Sequence, residues 1–233
     1  MLIVAVMLVA ATWLLVACTG DDTAPEPVNG SVSEVVRLPD PASDGELSLE
    51  ATISARRSVR EWGSEAVTLD ELGQLLWAAQ GITVEWGGRS APSAGGTYPL
   101  EVHAVVSTVE GLEPGIYRYR PHDHHLVMTI DGDLSDDLAR VALDQASVGT
   151  APLNLVITAV PERTAERYGA RAERYVTLEA GHVAQNVALQ AVSLGLGSVP
   201  IGAFTDDEAA RLLDLPDGEM VLYILPIGPP ANR

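Results

Sequence analysis

The sequence predicts an α+β domain with a mostly antiparallel central sheet flanked by helices. Three observations lead there. Helix-like and strand-like segments alternate irregularly, not in regular β-α-β units. "GIYRYRP" followed by "HHLVMTI" reads as a hairpin, which pairs strands antiparallel. The long segment "RYVTLEAGHVAQNVALQAVSLG" carries apolar residues around most of its circumference, as expected of a helix buried on several sides.

The chain of 233 residues is 47% hydrophobic and 20% charged, the profile of a globular protein with room for one well-packed domain and tails. The formal net charge of −18 argues against nucleic acid or an anionic membrane surface as partner. Every basic residue is arginine, which excludes chemistry that needs a lysine amine. Cys18 is the single cysteine, so neither an intramolecular disulfide nor a multi-cysteine metal site is available.

From the N-terminus, Met1 to Ala17 is almost wholly apolar and closes on "LVAC". The run is short for a spanning helix and has the length of a signal-peptide apolar region. "LVAC" resembles a bacterial lipobox, which makes residues 1–18 a signal or anchor segment and Cys18 the expected lipidation site. No basic residue precedes the run, a departure from the usual signal-peptide start. An uncleaved apolar anchor is the simpler alternative. Residues 19–46, rich in Asp, Glu, Pro, Ser and Gly, read as a solvated tether. The folded domain is expected over 47–233, placing the protein on the outer face of the cell membrane, or in the cytoplasm if the leader is misassigned.

Within that domain, Ser48 can cap a helix through "LEATISARRSVR". Thr68 and Glu71 form a capping box for "LDELGQLLWAAQ", which ends at Gly81. A Gly-rich loop precedes the strand "EVHAVVSTV" and then the hairpin. "LSDDLARVALDQA" reads as a helix and "LNLVITAV" as a β-branched strand. A long helix is expected from near Tyr175. The extended "SVPIGAF", a helix at "DDEAARLLDL" and a last strand at "EMVLYILPIG" complete the chain.

Four segments carry candidate chemistry. In "ARRSVREW", Arg56, Arg57 and Arg60 crowd one helix end around Ser58; guanidinium forks at that spacing suit a phosphate, and a solvated basic face is the bland alternative. In "RSAPSAGGTYPLEVH", Ser93, Ala94 and Gly95 allow a flat ligand to approach the backbone, unless the stretch is a plain loop. His182, Gln185, Asn186, Leu189 and Ser193 share one face of the long helix, with apolar residues opposite, so both faces are expected to be buried. His182 alone is better read as a bonded core histidine than as a base. "GLGSVPIGAF" follows, where a backbone N–H near Pro200, Ile201 and Gly202 can reach a ring nitrogen. "PHDHHL" contains three histidines but has turn chemistry, and no metal site is assigned.

Taken in order, "ARRSVR", "PSAGGTYPLEVH", "GIYRYRP", "EAGHVAQN", "GLGSVPIGAF" and "LPIG" resemble the nitroreductase-like flavoproteins, specifically their SagB/ThcOx branch. The resemblance implies an FMN-dependent oxidoreductase: a homodimer with two FMN sites at the subunit interface and the long helix packed there. It assigns the FMN phosphate and pyrimidine edge to Arg56, Arg57, Ser58 and Arg60. Ser93, Ala94 and Gly95 would contact the flavin from the partner subunit, and Pro200, Ile201 and Gly202 would line the ring. Members of the branch that oxidise azolines in modified peptides carry a Lys-Tyr pair. Arg167-Tyr168 stands in the matching place, leaving Tyr168 as the candidate catalytic acid or base, since arginine stays protonated. Generic nitro or quinone reduction, and a non-catalytic ligand-binding lipoprotein on the same fold, are the competing readings.

Overall fold

The computed structural model describes residues 34–231. The anchor segment, Cys18 and most of the expected tether lie outside the described residues. A seven-stranded sheet runs in the order β1-β4-β3-β2-β5-β7-β6, with neighbouring strands antiparallel. Its strands are β1 (Val35–Arg37), β2 (Leu100–Val106), β3 (Gly115–Arg120), β4 (His125–Asp131), β5 (Leu153–Ala159), β6 (Gly197–Ser198) and β7 (Met220–Gly228). The helices are α1 (Leu49–Ala55), α2 (Leu69–Gln80), α3 (Ser135–Val141), α4 (Ala146–Gly149), α5 (Glu162–Tyr168), α6 (Ala172–Ser193) and α7 (Asp206–Leu212). The α+β antiparallel class and the β3–β4 hairpin stand as expected.

Strand alternation sorts the core into two layers. Leu153, Leu155 and Ile157 of β5 point with Val102 and Ala104 of β2 toward α2 and α6. Val156 and Val105, one residue out of step, point the other way with Leu138, Val148 and Leu213 from the α3, α4 and α7 side. The sheet's centre is therefore covered on both faces, which explains why β5 is buried at all seven positions.

Four boundaries differ from the sequence expectation. The folded body begins earlier than residue 47: β1 pairs with β4, Leu38 is buried, and Ala42 exchanges two hydrogen bonds with the Gln74 side chain at 2.9 and 3.0 Å. A three-residue strand within a Pro- and Asp-rich stretch leaves too little periodicity to detect. Helix α1, capped by Ser48 as expected, stops at Arg56, whose ψ of 122° turns the chain into an extended path. Residues beyond it lie beside β6, with a parallel Ser58–Ser198 bridge and a Val59 N–H bond to the Ser198 carbonyl at 3.1 Å. The helix expected over "LSDDLARVALDQA" breaks where Leu143 and Asp144 take φ of 59° and 57°. Helix α6 starts at Ala172, three residues before Tyr175.

Candidate flavin site

Helix α6 organises the site by presenting different chemistry on opposite faces. Gly181, Ala184, Gln185 and Ala188, spaced i, i+3, i+4 and i+7, form one wall of a cleft of about 310 Å³. Arg56, Ser58, Pro200 and Tyr223 complete its lining. Three of the four helical residues are Gly or Ala, so the wall is smooth and offers a flat ring backbone and methyl contacts. A Cβ added to Gly181 would meet nothing within 4 Å, so the space beside this glycine is not filled by the protein's own side chains.

The glycine run after α6 sets the cleft's other edge. Gly195, at φ 74°, terminates the helix. Its N–H bonds to Val192 O at 3.0 Å, and Leu196 N–H reaches Ala191 O at 2.7 Å, the paired bonds of a Schellman cap. Gly197 has a different reason: a Cβ there would lie 2.6 Å from Val59 Cβ. The missing side chain lets the arginine segment dock against β6 and places Arg56 and Ser58 across from Pro200.

The structure divides the expected cofactor residues into three sets. Arg56, Ser58 and Pro200 meet in the cleft. Arg57 does not line it: its guanidinium folds back onto Ser54 O and Arg56 O at 2.9 and 2.8 Å and caps the C-terminus of α1, where open carbonyls favour a cation. Arg60 is exposed and lies outside the lining residues. Among the described residues neither Arg56 nor Arg60 makes an ion pair, in a chain where acidic groups outnumber basic ones 32 to 14. Ile201 turns its side chain into the α3/α7 core layer, and its backbone pairs with Ile224. Gly202 is exposed, and a Cβ there would touch the Tyr223 ring at 3.5 Å, ordinary packing distance.

Ser93, Ala94 and Gly95 form the third set, on the far side of α6. Ala94 N–H donates to Glu179 Oε1 at 2.7 Å. At 100° per residue Glu179 points nearly opposite to the Gly181–Ala188 wall, so loop and cleft are separated by roughly a helix diameter, about 10 Å. Tyr168 belongs to the loop side: a Cβ on Gly95 would come 2.6 Å from its hydroxyl, and its ring packs edge-on against Tyr175. Arg167 donates to Gly95 O at 3.1 Å, and its guanidinium sits over the Tyr168 ring.

Within the single chain the polar face of α6 is partly open. His182 and Gln185 are exposed, and Leu178 on the same side is 53% exposed. Asn186 is tied to Ala78 O and Ser90 O at 3.2 and 3.4 Å, and Ser193 lines a separate cavity of about 460 Å³ with Gln74, Asn186 and Gln190. That larger cavity is also lined by Asp44, Trp77 and Leu189 and has no basic group, which leaves the arginine cleft as the better seat for a phosphorylated group. The expected turn at "PHDHHL" is present, with His124 at φ 43° and its Nδ1 within 2.8 Å of Tyr119 Oη.

Tyr223, Glu179 and the small-residue wall were not singled out from sequence. The i, i+3, i+7 spacing of Gly181, Ala184 and Ala188 was a readable signal. Tyr223 reaches the cleft from a strand distant in sequence and carried none.

The site thus joins an antiparallel sheet with helices on both faces, a long two-faced helix and an arginine cleft beside it. The chain belongs to the Nitroreductase family, whose model matches residues 53–229. It is similar to a nitroreductase-family protein of Methanocaldococcus jannaschii, at 46% identity over 193 residues covering 83% of this chain and 95% of that protein. A nitroreductase-family crystal structure from Ralstonia eutropha superposes with a TM-score of 0.75 at 32% identity, covering 90% of this chain and 96% of the other. The NADPH:FMN oxidoreductase of Vibrio harveyi shares the fold at a TM-score of 0.57 and 23% identity, covering 78% of this chain and 68% of that one. The protein is therefore an oxidoreductase of a flavoprotein family.

Proposed function

We propose that the protein is an FMN-dependent oxidoreductase whose sites form between two copies of the chain. Two observations support FMN. Arg56 lacks an acidic partner and lines a cleft with Ser58, and the facing wall is built from Gly181, Ala184 and Ala188. A phosphate is held by guanidinium and hydroxyl donors, while a planar ring needs a flat, small-residue surface. FMN would supply reversible hydride exchange at ring N5. Arg56 and Ser58 would hold its phosphate, with Arg60 adding positive charge nearby, and Pro200 and the α6 wall would flank its ring.

The placement of the Ser93–Gly95 loop carries the two-copy reading. Loop and cleft lie on opposite faces of α6, so one bound ring reaches both only if a second protomer supplies the loop. Leu178 on α6 and Leu49 and Ile53 on α1, at 53, 63 and 55% exposure, are apolar side chains that such a partner would cover. Tyr168 and Arg167 would arrive with the loop. Arg167 keeps its proton, so any proton transfer in this pair is carried by the Tyr168 hydroxyl.

The ordered motifs support placement in the SagB/ThcOx branch, with a small organic or peptidic substrate. Generic nitro or quinone reduction is the second reading, favoured by 46% identity to the M. jannaschii protein. We further propose a membrane tether at Cys18, supported by the apolar run and "LVAC"; Cys18→Ser is expected to move the protein from the membrane to the soluble fraction.

The first test is the visible absorbance spectrum of the purified full chain. A flavin spectrum, with FMN identified after release, supports the reading, and a colourless protein that takes up no added FMN overturns it. Arg56→Ala is expected to weaken FMN binding about tenfold or more, the scale of one charge-assisted phosphate contact; an unchanged Kd removes the phosphate assignment.

A further inference from the structure

Three residues of the short loop from Ser93 to Tyr98 take left-handed backbone angles: Gly95 at φ 62°, Gly96 at 67° and Tyr98 at 44°. Tyr98, a non-glycine residue at positive φ, is strained, and besides its own bonds, such as Tyr98 N–H to Ser93 Oγ at 2.9 Å, the loop is held by contacts from outside it. Arg89 lies over the Tyr98 ring at 4.5 Å, and the hydrogen bonds come from two helices. From α5, Arg167 donates to Gly95 O at 3.1 Å, Arg163 donates to Tyr98 O at 3.0 Å, and the Thr164 and Thr97 hydroxyls meet at 2.9 Å. From α6 there is Glu179, only 4% exposed, whose Oε1 accepts the Ala94 N–H at 2.7 Å.

A buried carboxyl is costly unless its oxygens are bonded. The bonding partner of Glu179 is the loop itself: its Oε1 accepts the Ala94 amide. The next amide along, Gly95 N–H, has no partner among the described residues and lies at the surface. Beside the amide that Glu179 holds, the loop thus keeps an exposed donor in the Gly95 N–H.

We propose that Glu179 is the positioning residue that fixes the Ser93–Gly96 loop in the shape it presents to the cofactor, through its bond to the Ala94 amide. The cofactor part of this inference rests on the two-copy FMN reading above; the loop-holding part does not. Glu179 touches neither the cleft nor the reacting atoms and acts through the loop alone.

The test separates an acceptor from a space-filler. Protein labelled with 15N-alanine reports exchange of the Ala94 amide directly, without cofactor. In the wild type this amide is expected to exchange at least about tenfold slower than an unstructured one, and exchange at the unstructured rate overturns the proposal whatever the variants do. Glu179→Gln keeps an accepting oxygen and is expected to retain both Ala94 protection and the wild-type FMN Kd. Glu179→Met keeps length and volume without an acceptor. It is expected to speed Ala94 exchange and weaken FMN binding by about tenfold each, while amides in β5 and β7 stay protected. A Met variant matching the wild type in both, or a Gln variant as defective as Met, overturns the proposal. Failure of the wild type to bind FMN would instead remove the cofactor reading, and the Ala94 rate would still decide whether Glu179 holds the loop.

Discussion

Two buried glutamates titrate in opposite senses because their neighbours differ. Glu219 is pushed up by burial, but hydrogen bonds from His103 and Thr158 and the positive charge of Arg118 outweigh this and bring its pKa down to about 2. A carboxyl whose pKa falls on folding adds stability above its unfolded value near 4.5 and loses it as pH drops toward 2. The linked stabilisation is on the order of 3 kcal/mol, so the acid-unfolding curve of Glu219→Gln should be flatter over that window. Glu179 goes the other way: burial raises its pKa despite the bonds from Ala94 and Ser93 and the nearby His182. Its favourable linkage is present below the unfolded pKa and lost as pH rises through the folded one. Glu179→Gln, neutral throughout, should therefore gain Tm relative to the wild type between pH 4 and pH 8. A Tm difference that does not change with pH would contradict this assignment.

At the scale of elements, the glycines of α6 and its exit divide between fold and function. Gly197 makes room for Val59, so Gly197→Ala should overpack the contact between the arginine segment and β6, at a cost of about 1–3 kcal/mol, and lower both Tm and FMN affinity. Gly181 lies within the helix, with open space beside it. Gly181→Ala should leave Tm unchanged or raise it, since Ala is the better helix former by about 1 kcal/mol, yet weaken FMN binding by narrowing the cleft. Thermal melts and flavin titrations of the two variants distinguish these roles. The same packing explains why "SARRSVR" is not one helix: Val59 gains a partner in β6 by leaving the helical path. No local propensity in that Arg-rich run announces the switch.

For the whole molecule, the separation of loop and cleft across α6 makes complementation the decisive measurement. An Arg56→Ala protomer has a weakened cleft but keeps its loop, while a Tyr168→Phe protomer keeps its cleft. If each site draws on two copies, randomly reassociated mixtures assayed at FMN too dilute to fill the Arg56→Ala cleft should gain activity over either variant alone, up to roughly a quarter of wild type, because half the dimers carry one intact site of two. Recovery of nothing would place cleft and loop function within one chain.

The α+β class, the hairpin, the capping box at Thr68 and the order of the candidate segments were determined by sequence alone. They rest on periodicity, cap chemistry and turn residues, which act over a few positions and are readable in any short window. The tertiary structure decided which segments meet. It turned Ile201 into the core, brought Tyr223 from the last strand into the cleft and set Glu179 beneath the Ala94 amide. It also drew residues 35–46 into the folded body through pairing with β4 and bonds to Gln74. Each of these outcomes depends on contacts between residues far apart in the chain, and their free energy arises only when the layers pack together.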